Sequence, residues 1–507
     1  MLARATTFAL EGLDARRVDV EVDVRSGLPS FAIVGLGDAA VREARERVRA
    51  AVHNSALEFP AKRITANLAP AWLRKVGPGF DLALAAALLA ASGQVSPDSL
   101  TRWALHGELA LGGELRPCSG TLAVADAARR AGLSGVVVAT ESGGEAALVE
   151  GLDIVAVTTL GDLVAWLRGG LVEPVPPAPR PRGADLVVLP DLADVRGHAE
   201  AIDVLTVAAA GGHHLLLAGP PGSGKTMLAR RLPSILPPLA LDEALEVTRV
   251  QSVAGRHIGQ GLVRSRPFRA PHHTVSAAGL VGGGSTPTPG EVTLAHRGVL
   301  FLDELSEFSR SALEALRQPL EDGRVAVVRG QRTAVYPARA MLVAATNPCP
   351  CGFHGDLRRT CRCGEAELVR HQRRLSGPLL DRIDLQLAVQ PPSAEALSGP
   401  PGPASAVVRD RVVAARERQL ARRGSTGAPC NAELDDAALA ACVRLDARAD
   451  ADIADAHRAG LSARGRIRVL RVARTMADLD ARDRVRTDDI RQALTWRLRE
   501  IQGDRVA

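Results

Sequence analysis

The sequence predicts an α/β protein built on a phosphate-binding core, with a mixed α+β domain before it and a helical domain after it. Three observations carry this. First, Gly219-Pro220-Pro221-Gly222-Ser223-Gly224-Lys225-Thr226 matches G-x-x-x-x-G-K-[ST], entered by the apolar run Leu215-Leu216-Leu217-Ala218 and left by a helical stretch from Met227 to Leu232. Second, two breaker-rich stretches divide the 507 residues, a length that itself predicts about three domains. Third, strand and helix patterns alternate before the first stretch, whereas helical patterns alone follow the second.

Composition narrows the class. A formal charge of +6 and a pI near 9.2 permit an anionic partner without demanding one. No uncharged apolar run reaches the ~18 residues of a membrane span, so no membrane partner is expected. Met1-Leu2-Ala3-Arg4-Ala5-Thr6-Thr7 lacks the basic-then-apolar pattern of an export signal, which predicts a cytoplasmic protein. Seven cysteines in a chain this long are not a disulfide framework, and four of them cluster with metal-like spacing.

Residues 1–170 read as the first domain. Val18 to Val24 alternates with period two, as a half-buried strand does. Ala39 to Val52 follows as an Arg/Glu-rich amphipathic helix, and Asp81 to Ala91 as an Ala/Leu-rich one. Gly107 to Pro117 predicts a hairpin and Ala123 to Ala131 a helix. Val136-Val137-Val138 and Ile154-Val155-Ala156-Val157 complete a small sheet. The segment resembles the substrate-processing domain of Lon-type proteases, most clearly from Gly107 to Gly132. Registering the two patterns puts Gly79 where that family has its nucleophilic Ser and Leu122 where it has its Lys. Neither residue can supply that chemistry, so the resemblance implies a retained fold without the Ser/Lys dyad.

Residues 171–183, Leu-Val-Glu-Pro-Val-Pro-Pro-Ala-Pro-Arg-Pro-Arg-Gly, predict a semi-rigid extended linker. The phosphate-binding core then occupies 184–392. A second stretch, Pro391-Pro392 through Pro400-Pro401-Gly402-Pro403, opens the helical domain 393–507. Its helices are expected over Val407 to Arg422, Asp435 to Leu445, Ala449 to Ala459, Ile467 to Asp480 and Thr487 to Arg499. Thr487 followed by two acids is a helix-start signal.

The phosphate loop has a defined chemistry. Its glycines let backbone N–H groups converge on phosphate oxygens, and the helix N-terminus adds a favourable dipole. Lys225 would reach the β- and γ-phosphates of ATP, and the Thr226 hydroxyl would ligate Mg²⁺. Lys62, Lys75 and Lys225 are the chain's three lysines, every other basic residue being Arg or His.

Val299-Leu300-Phe301-Leu302-Asp303-Glu304 is an apolar strand ending in two acids, and it resembles a Walker B element. Asp303 would hold Mg²⁺ through water and Glu304 would activate the attacking water; its place about eighty residues after the phosphate loop favours this over a merely solvated strand end. Met341 to Thr346 is a further buried strand, and Asn347 after it matches the sensor-1 position of AAA+ ATPases. In Leu379-Leu380-Asp381-Arg382-Ile383-Asp384, Arg382 stands where AAA+ rings project an Arg into the neighbouring subunit's ATP site. The alternative is a surface Arg paired with Asp381 or Asp384. Ser462-Ala463-Arg464 opens a helix at a sensor-2 position, with Arg464 contacting phosphate, although Arg466, Arg468 and Arg471 compete for that role.

Together with Ala210-Gly211-Gly212-His213-His214, Arg269-Ala270-Pro271-His272-His273-Thr274, Asn347-Pro348-Cys349-Pro350-Cys351-Gly352 and Ser376-Gly377-Pro378, these motifs resemble the ComM/YifB family of magnesium-chelatase-like AAA+ ATPases. The resemblance implies a P-loop AAA+ ATPase core, an N-terminal Lon-protease-like (S5-type) α+β domain and a C-terminal helical lid domain. It implies ATP and Mg²⁺ as cofactors, a homohexameric ring, and branched or single-stranded DNA and recombination proteins as partners. The implied activity is a DNA helicase promoting branch migration in bacterial recombination and natural transformation. The rival is a chelatase- or MoxR-like ATPase remodelling a protein partner; against a chelatase proper stands the lack of an attached acidic or metal-adhesion domain in this sequence. An ATP-dependent peptidase is disfavoured by Gly79 and Leu122.

Cys349-x-Cys351 and Cys361-x-Cys363 lie nine residues apart among glycines and can enclose a tetrahedral Zn²⁺; reduced free thiols or a redox pair are the alternatives. Cys118, Cys430 and Cys442 read as ordinary packed or surface thiols. Adjacent His272 and His273 on a strand would point to opposite faces, which favours a loop-shaping or ring-pore role over metal binding. Gly279 to Gly290 predicts a mobile substrate-touching loop. Arg324 to Val335 predicts a hairpin whose Arg329 and Arg332 either follow a phosphate backbone or are simply solvated. The Arg-rich face of Arg464, Arg466, Arg468, Arg471 and Arg474 is nucleotide-facing, interfacial or exposed.

Overall fold

Val18, Val20, Val22 and Val24 all point into the N-terminal core, and the strand that carries them sets the register of its sheet. The computed structural model describes residues 1–170, 189–256, 261–283, 288–329, 332–356, 359–374 and 377–498. The Pro-rich stretch 171–183 lies outside the described residues. β1 (Leu2–Glu11) and β2 (Asp14–Arg25) pair antiparallel from Leu2↔Asp23 to Glu11↔Asp14, turning at Gly12, whose φ of +65° suits glycine. β1 was not foreseen: Thr6, Thr7, Phe8 and Ala9 are buried in succession, so no alternation marks it.

β3 (Ser30–Val34), β4 (Arg63–Ala69), β5 (Trp103–His106), β6 (Gly135–Ala139) and β7 (Asp153–Val157) extend the sheet to seven strands in the order β3–β4–β2–β1–β5–β6–β7. The expected small sheet is therefore corrected to a large mixed one. The expected hairpin over 107–117 reduces to a ladder of two short strands, Glu108–Leu109 and Leu115–Arg116. α1 (Ala39–Asn54) starts where Asp38 accepts the Val41 N–H and buries Val41, Ala44, Val48, Ala51 and Val52, the one-sided stripe its sequence predicts. α2 (Asp81–Ala91) is buried at every residue, as an Ala/Leu helix without a polar face must be. Its Asp81 pairs with Arg47 of α1 at 2.6 Å, yet burial pushes this carboxyl up to about 6. α1, α2 and α4 (Leu160–Leu167) share one core on one face, and α3 (Thr121–Arg130) packs a second core on the other.

The central sheet is wholly parallel. β8 (Leu215–Ala218), β9 (Phe268–Arg269), β10 (Val299–Leu302), β13 (Met341–Thr346) and β14 (Leu385–Ala388) lie in the order β9–β10–β13–β8–β14. Its middle strands are apolar runs because both faces are covered. α5 (Ala199–Gly211) and α6 (Lys225–Ile235) cover one face, and α7 (Leu241–Val253) leads towards β9. β11 (Arg324–Arg329) and β12 (Arg332–Pro337) form the expected antiparallel hairpin before β13, and α8 (Glu365–Arg374) follows it.

α9 (Ser405–Ala421), α10 (Asp436–Cys442), α11 (Ala447–Arg458), α12 (Ala463–Leu479) and α13 (Thr487–Leu498) form the helical segment. Val408, Val412, Val469 and Trp496 share one core with Leu205, Leu228 and Leu385 of the central domain. α12 opens at Ser462-Ala463-Arg464 as expected, Ser462 capping it by accepting the Gly465 N–H at 3.0 Å, and so extends four residues before Ile467. Arg468, Arg471 and Arg474 turn inward from α12 onto Asp384, the Leu434 carbonyl and Asp478, so most of the Arg-rich face is structural. The N-terminal domain docks through α3 onto α7: Arg249 pairs with Asp126 at 2.9 Å, and buried Glu145 accepts from both the Leu122 N–H and the Ser252 hydroxyl. No helix among the described residues is long and apolar enough to cross a membrane.

Candidate nucleotide-binding site

All five strands of the parallel sheet end at one edge, and Lys225, Thr226, Asp303, Glu304 and Asn347 lie just beyond the ends of β8, β10 and β13. The phosphate loop leaves β8 at Gly219 and enters α6 at Lys225, with Gly222 at φ +78° and Gly224 at φ +89°. Those left-handed turns are what glycine is needed for here. Ser223 is buried beneath the loop, while Pro220 and Pro221 shape its rim. Lys225 Nζ donates to the Gly219 carbonyl at 2.7 Å, the Pro220 carbonyl at 2.9 Å and Asn347 Oδ1 at 3.3 Å. Burial lowers its pKa, and Asp303 nearby opposes that shift. The ammonium is thus held among the loop carbonyls and Asn347.

Thr226 Oγ1 donates to Asp303 Oδ2 at 2.7 Å. Thr226 opens α6 and Asp303 follows β10, two strand positions away, so a hydroxyl and a carboxylate from distant segments converge beside the loop. That pair is the oxygen set an octahedral Mg²⁺ accepts together with water and phosphate. Asn347 follows β13, the strand between β10 and β8, and reaches Lys225. Its carbonyl accepts from His371 Nε2 of α8 at 2.9 Å.

Glu304 has φ +52°, an uncommon value for a residue with a side chain. Its Oε2 lies 3.2 Å from His273 Nδ1. His272 and His273 stand in the turn after β9, not on a strand, and their rings lie side by side with centroids 4.1 Å apart. Opposite-facing histidines are therefore corrected, since a turn imposes no alternation. Arg269 anchors that turn through a two-pronged pair with Glu291 at 2.6 and 2.9 Å. The partnership of His273 with Glu304 was missed. Its trace in the sequence is the placement of a His pair just beyond a strand that neighbours the acid-ending one.

Arg382 and Arg464 do not join this group. Arg382 precedes β14, at the sheet edge opposite the phosphate loop, and its guanidinium pairs with Glu321 at 2.6 Å. Arg464 reaches the other oxygen of the same Glu321 at 3.5 Å. Asp381 and Asp384, the partners considered for Arg382, pair instead towards Arg497 and Arg468. Glu321 itself was not foreseen, because nothing in its neighbourhood marks it.

Cys349, Cys351, Cys361 and Cys363 bring their sulfurs within 4.8 Å of one another, a group able to hold a metal ion. The Cys349–Cys351, Cys351–Cys361 and Cys349–Cys361 sulfur separations are 3.4, 3.6 and 3.7 Å, well beyond the ~2.05 Å of a disulfide. In the hairpin, Val325, Val327, Ala334 and Tyr336 are buried while Val328 and Val335 are exposed. Arg329 and Arg332 close the ladder as its last pair, and residues 330–331 lie outside the described residues. Of the glycine-rich loop, Gly282–Gly283 pair with Thr288–Pro289 and 284–287 lie outside.

In the N-terminal domain a side chain on Gly79 would come within 2.5 Å of the His106 ring. Leu122 is buried in α3.

Comparison with known proteins identifies the family. Residues 191–397 match the family described as magnesium chelatase, subunit ChlI; residues 20–142 match subunit ChlI of Mg-chelatase; residues 402–497 match magnesium chelatase, subunit ChlI C-terminal. An uncharacterized protein of Mycobacterium tuberculosis is 47% identical over 98% of both chains. YifB of Escherichia coli is 43% identical over 97% of this chain and 96% of its own. The competence protein ComM of Haemophilus influenzae is 40% identical over 98% of this chain and 97% of its own. A shorter similarity, 29% identity over 26% of this chain, connects it with Lon protease 2 of Bacillus subtilis.

Proposed function

The chain belongs to the ComM/YifB family of magnesium-chelatase-like AAA+ ATPases, and from that membership we propose that it is a Mg·ATP-driven ring motor that moves along DNA. The observation that carries the reading is the division of the site: Lys225, Thr226, Asp303 and Asn347 meet at one edge of the sheet, Arg382 and Arg464 at the other. On this reading Lys225 and the backbone of Gly219 to Gly224 cradle the phosphates. Thr226 and Asp303 would hold Mg²⁺, which would supply charge neutralisation at the transferred phosphoryl group. Glu304 activates water, and Asn347 positions it. Arg382 serves the site of the next subunit, assisted by Arg464, which calls for a closed ring, a homohexamer in the cytoplasm. The four cysteines hold a structural Zn²⁺.

DNA is the favoured substrate because a relative over almost the whole chain is a competence protein, and because the net charge and the Arg-tipped hairpin suit a phosphate backbone. Branch migration during recombination and natural transformation is the corresponding role, alongside recombination proteins. The N-terminal domain is expected to have no peptidase activity, since His106 fills the space beside Gly79 that a serine would need.

The test is a labelled three-strand DNA junction with ATP, ADP and Lys225→Ala in parallel. ATP-dependent strand displacement, lost in the variant, supports the reading. ATPase activity indifferent to every DNA, without displacement, replaces it with remodelling of a protein partner.

A further inference from the structure

A tetrahedral zinc with Zn–S bonds of about 2.3 Å places its sulfurs about 3.8 Å apart, close to the 3.4–3.7 Å seen here among Cys349, Cys351 and Cys361. Two backbone groups already point at sulfur: the His354 N–H at Cys349 Sγ, 3.3 Å, and the Cys351 N–H at Cys363 Sγ, 3.4 Å. Donors of this kind orient metal-ligating sulfurs.

The position of this cluster matters more than its composition. Cys349 lies two residues after Asn347, whose side chain holds Lys225. Cys363 lies two residues before α8, whose His371 bonds back to the Asn347 carbonyl. The cysteine loop is thus closed at both ends on Asn347. Gly352, next to Cys351, has φ +85°, and a Cβ there would sit 2.5 Å from Pro221 Cδ. Its backbone therefore rests directly on the tip of the phosphate loop.

We propose that the four-cysteine metal loop is one wall of the nucleotide pocket, so that zinc retention and nucleotide binding strengthen each other. This rests on the zinc reading given above. The metal fixes the backbone at Gly352 and Asn347. The phosphate loop, closing on a nucleotide through Lys225, presses Pro221 against the same backbone. Two ligands that favour one arrangement of a shared wall must raise each other's affinity by the same factor.

The experiment uses the full chain purified without chelators from zinc-supplied cells. Zinc is counted per chain, and its release to a chromophoric chelator is timed with and without a non-hydrolysable ATP analogue and Mg²⁺. One zinc per chain is expected, with release slowed about fivefold or more by the nucleotide. Lys225→Ala should keep its zinc and lose that effect. Gly352→Ala, which retains all four cysteines, should bind a fluorescent ATP analogue more weakly even when loaded with zinc. One zinc per chain released at a rate indifferent to nucleotide overturns the linkage and leaves the zinc site standing. Protein without zinc overturns the metal site, and the linkage with it.

Discussion

His273 Nδ1 lies 3.2 Å from Glu304 Oε2, so the carboxylate assigned to water activation is engaged by an imidazole from the neighbouring strand's turn. His272 and Phe308 flank that ring and fix where it sits. The ring crowds Oε2 and leaves Oε1 open on a half-exposed carboxylate. His273→Ala should clear that approach: turnover without DNA rises about fivefold, the equivalent of ~1 kcal/mol, while KM for ATP stays unchanged. Steady-state kinetics with and without DNA check this; a fall in turnover would instead make His273 an aid to water activation.

Binding and chemistry should separate cleanly between two residues of the site. Lys225→Ala removes a charge-assisted phosphate contact and should weaken ATP binding about 10- to 100-fold. Glu304→Gln keeps the fold and the nucleotide but removes the base, lowering kcat about 100-fold or more. Equilibrium binding of a fluorescent analogue, set beside phosphate release, distinguishes the two. Normal hydrolysis by Glu304→Gln would remove Glu304 from its role.

Arg382→Ala should bind ATP like the parent protein, because the Arg lies at the other sheet edge, yet lose about 1,000-fold in kcat. Mixed with Lys225→Ala subunits, it should recover part of the activity, since one subunit brings an intact phosphate loop and the next an intact Arg382. No recovery at any mixing ratio would confine Arg382 to its bond with Glu321.

The N-terminal domain should report on pH. Burial holds His106 neutral, its pKa pushed down to about 4 from an ordinary 6.5. The unfolded chain then binds more protons than the folded one between those values. Stability is full above pH 6.5 and is lost as pH falls towards 4, by up to about 3 kcal/mol for this one ring. His214 adds a shift of the same direction and cause. Thermal unfolding between pH 7 and 5 should show a falling midpoint, and His106→Gln should flatten that slope.

What could be read from the sequence was whatever lay within a few residues along the chain. The apolar strand, its polar terminus and the loop glycines announce themselves locally, and Lys225, Thr226, Asp303 and Asn347 do meet. Asp81 to Ala91 was equally plain, because an unbroken Ala/Leu helix is fit only for burial. Contacts made across the fold were hidden. Glu321, which binds both Arg382 and Arg464, belongs to a short helix with nothing to distinguish its carboxylate. His273 was visible as one of a pair, but its direction came from a turn, where no periodicity applies. β1 escaped because it is covered on both faces, which erases alternation.

The opposed edges of the central sheet also constrain symmetry. On the proposed reading, the phosphate loop at one edge and Arg382, buried against Glu321, at the other are two unlike half-sites. A two-fold interface joins unlike halves only where both lie on one patch, and these lie at opposite edges of the sheet. Only head-to-tail association can join them, and it leaves one unsatisfied end until the last subunit closes the circle. If Arg382 serves the next subunit as proposed, hydrolysis per subunit should rise with protein concentration, because an incomplete arc carries one phosphate loop without its arginine.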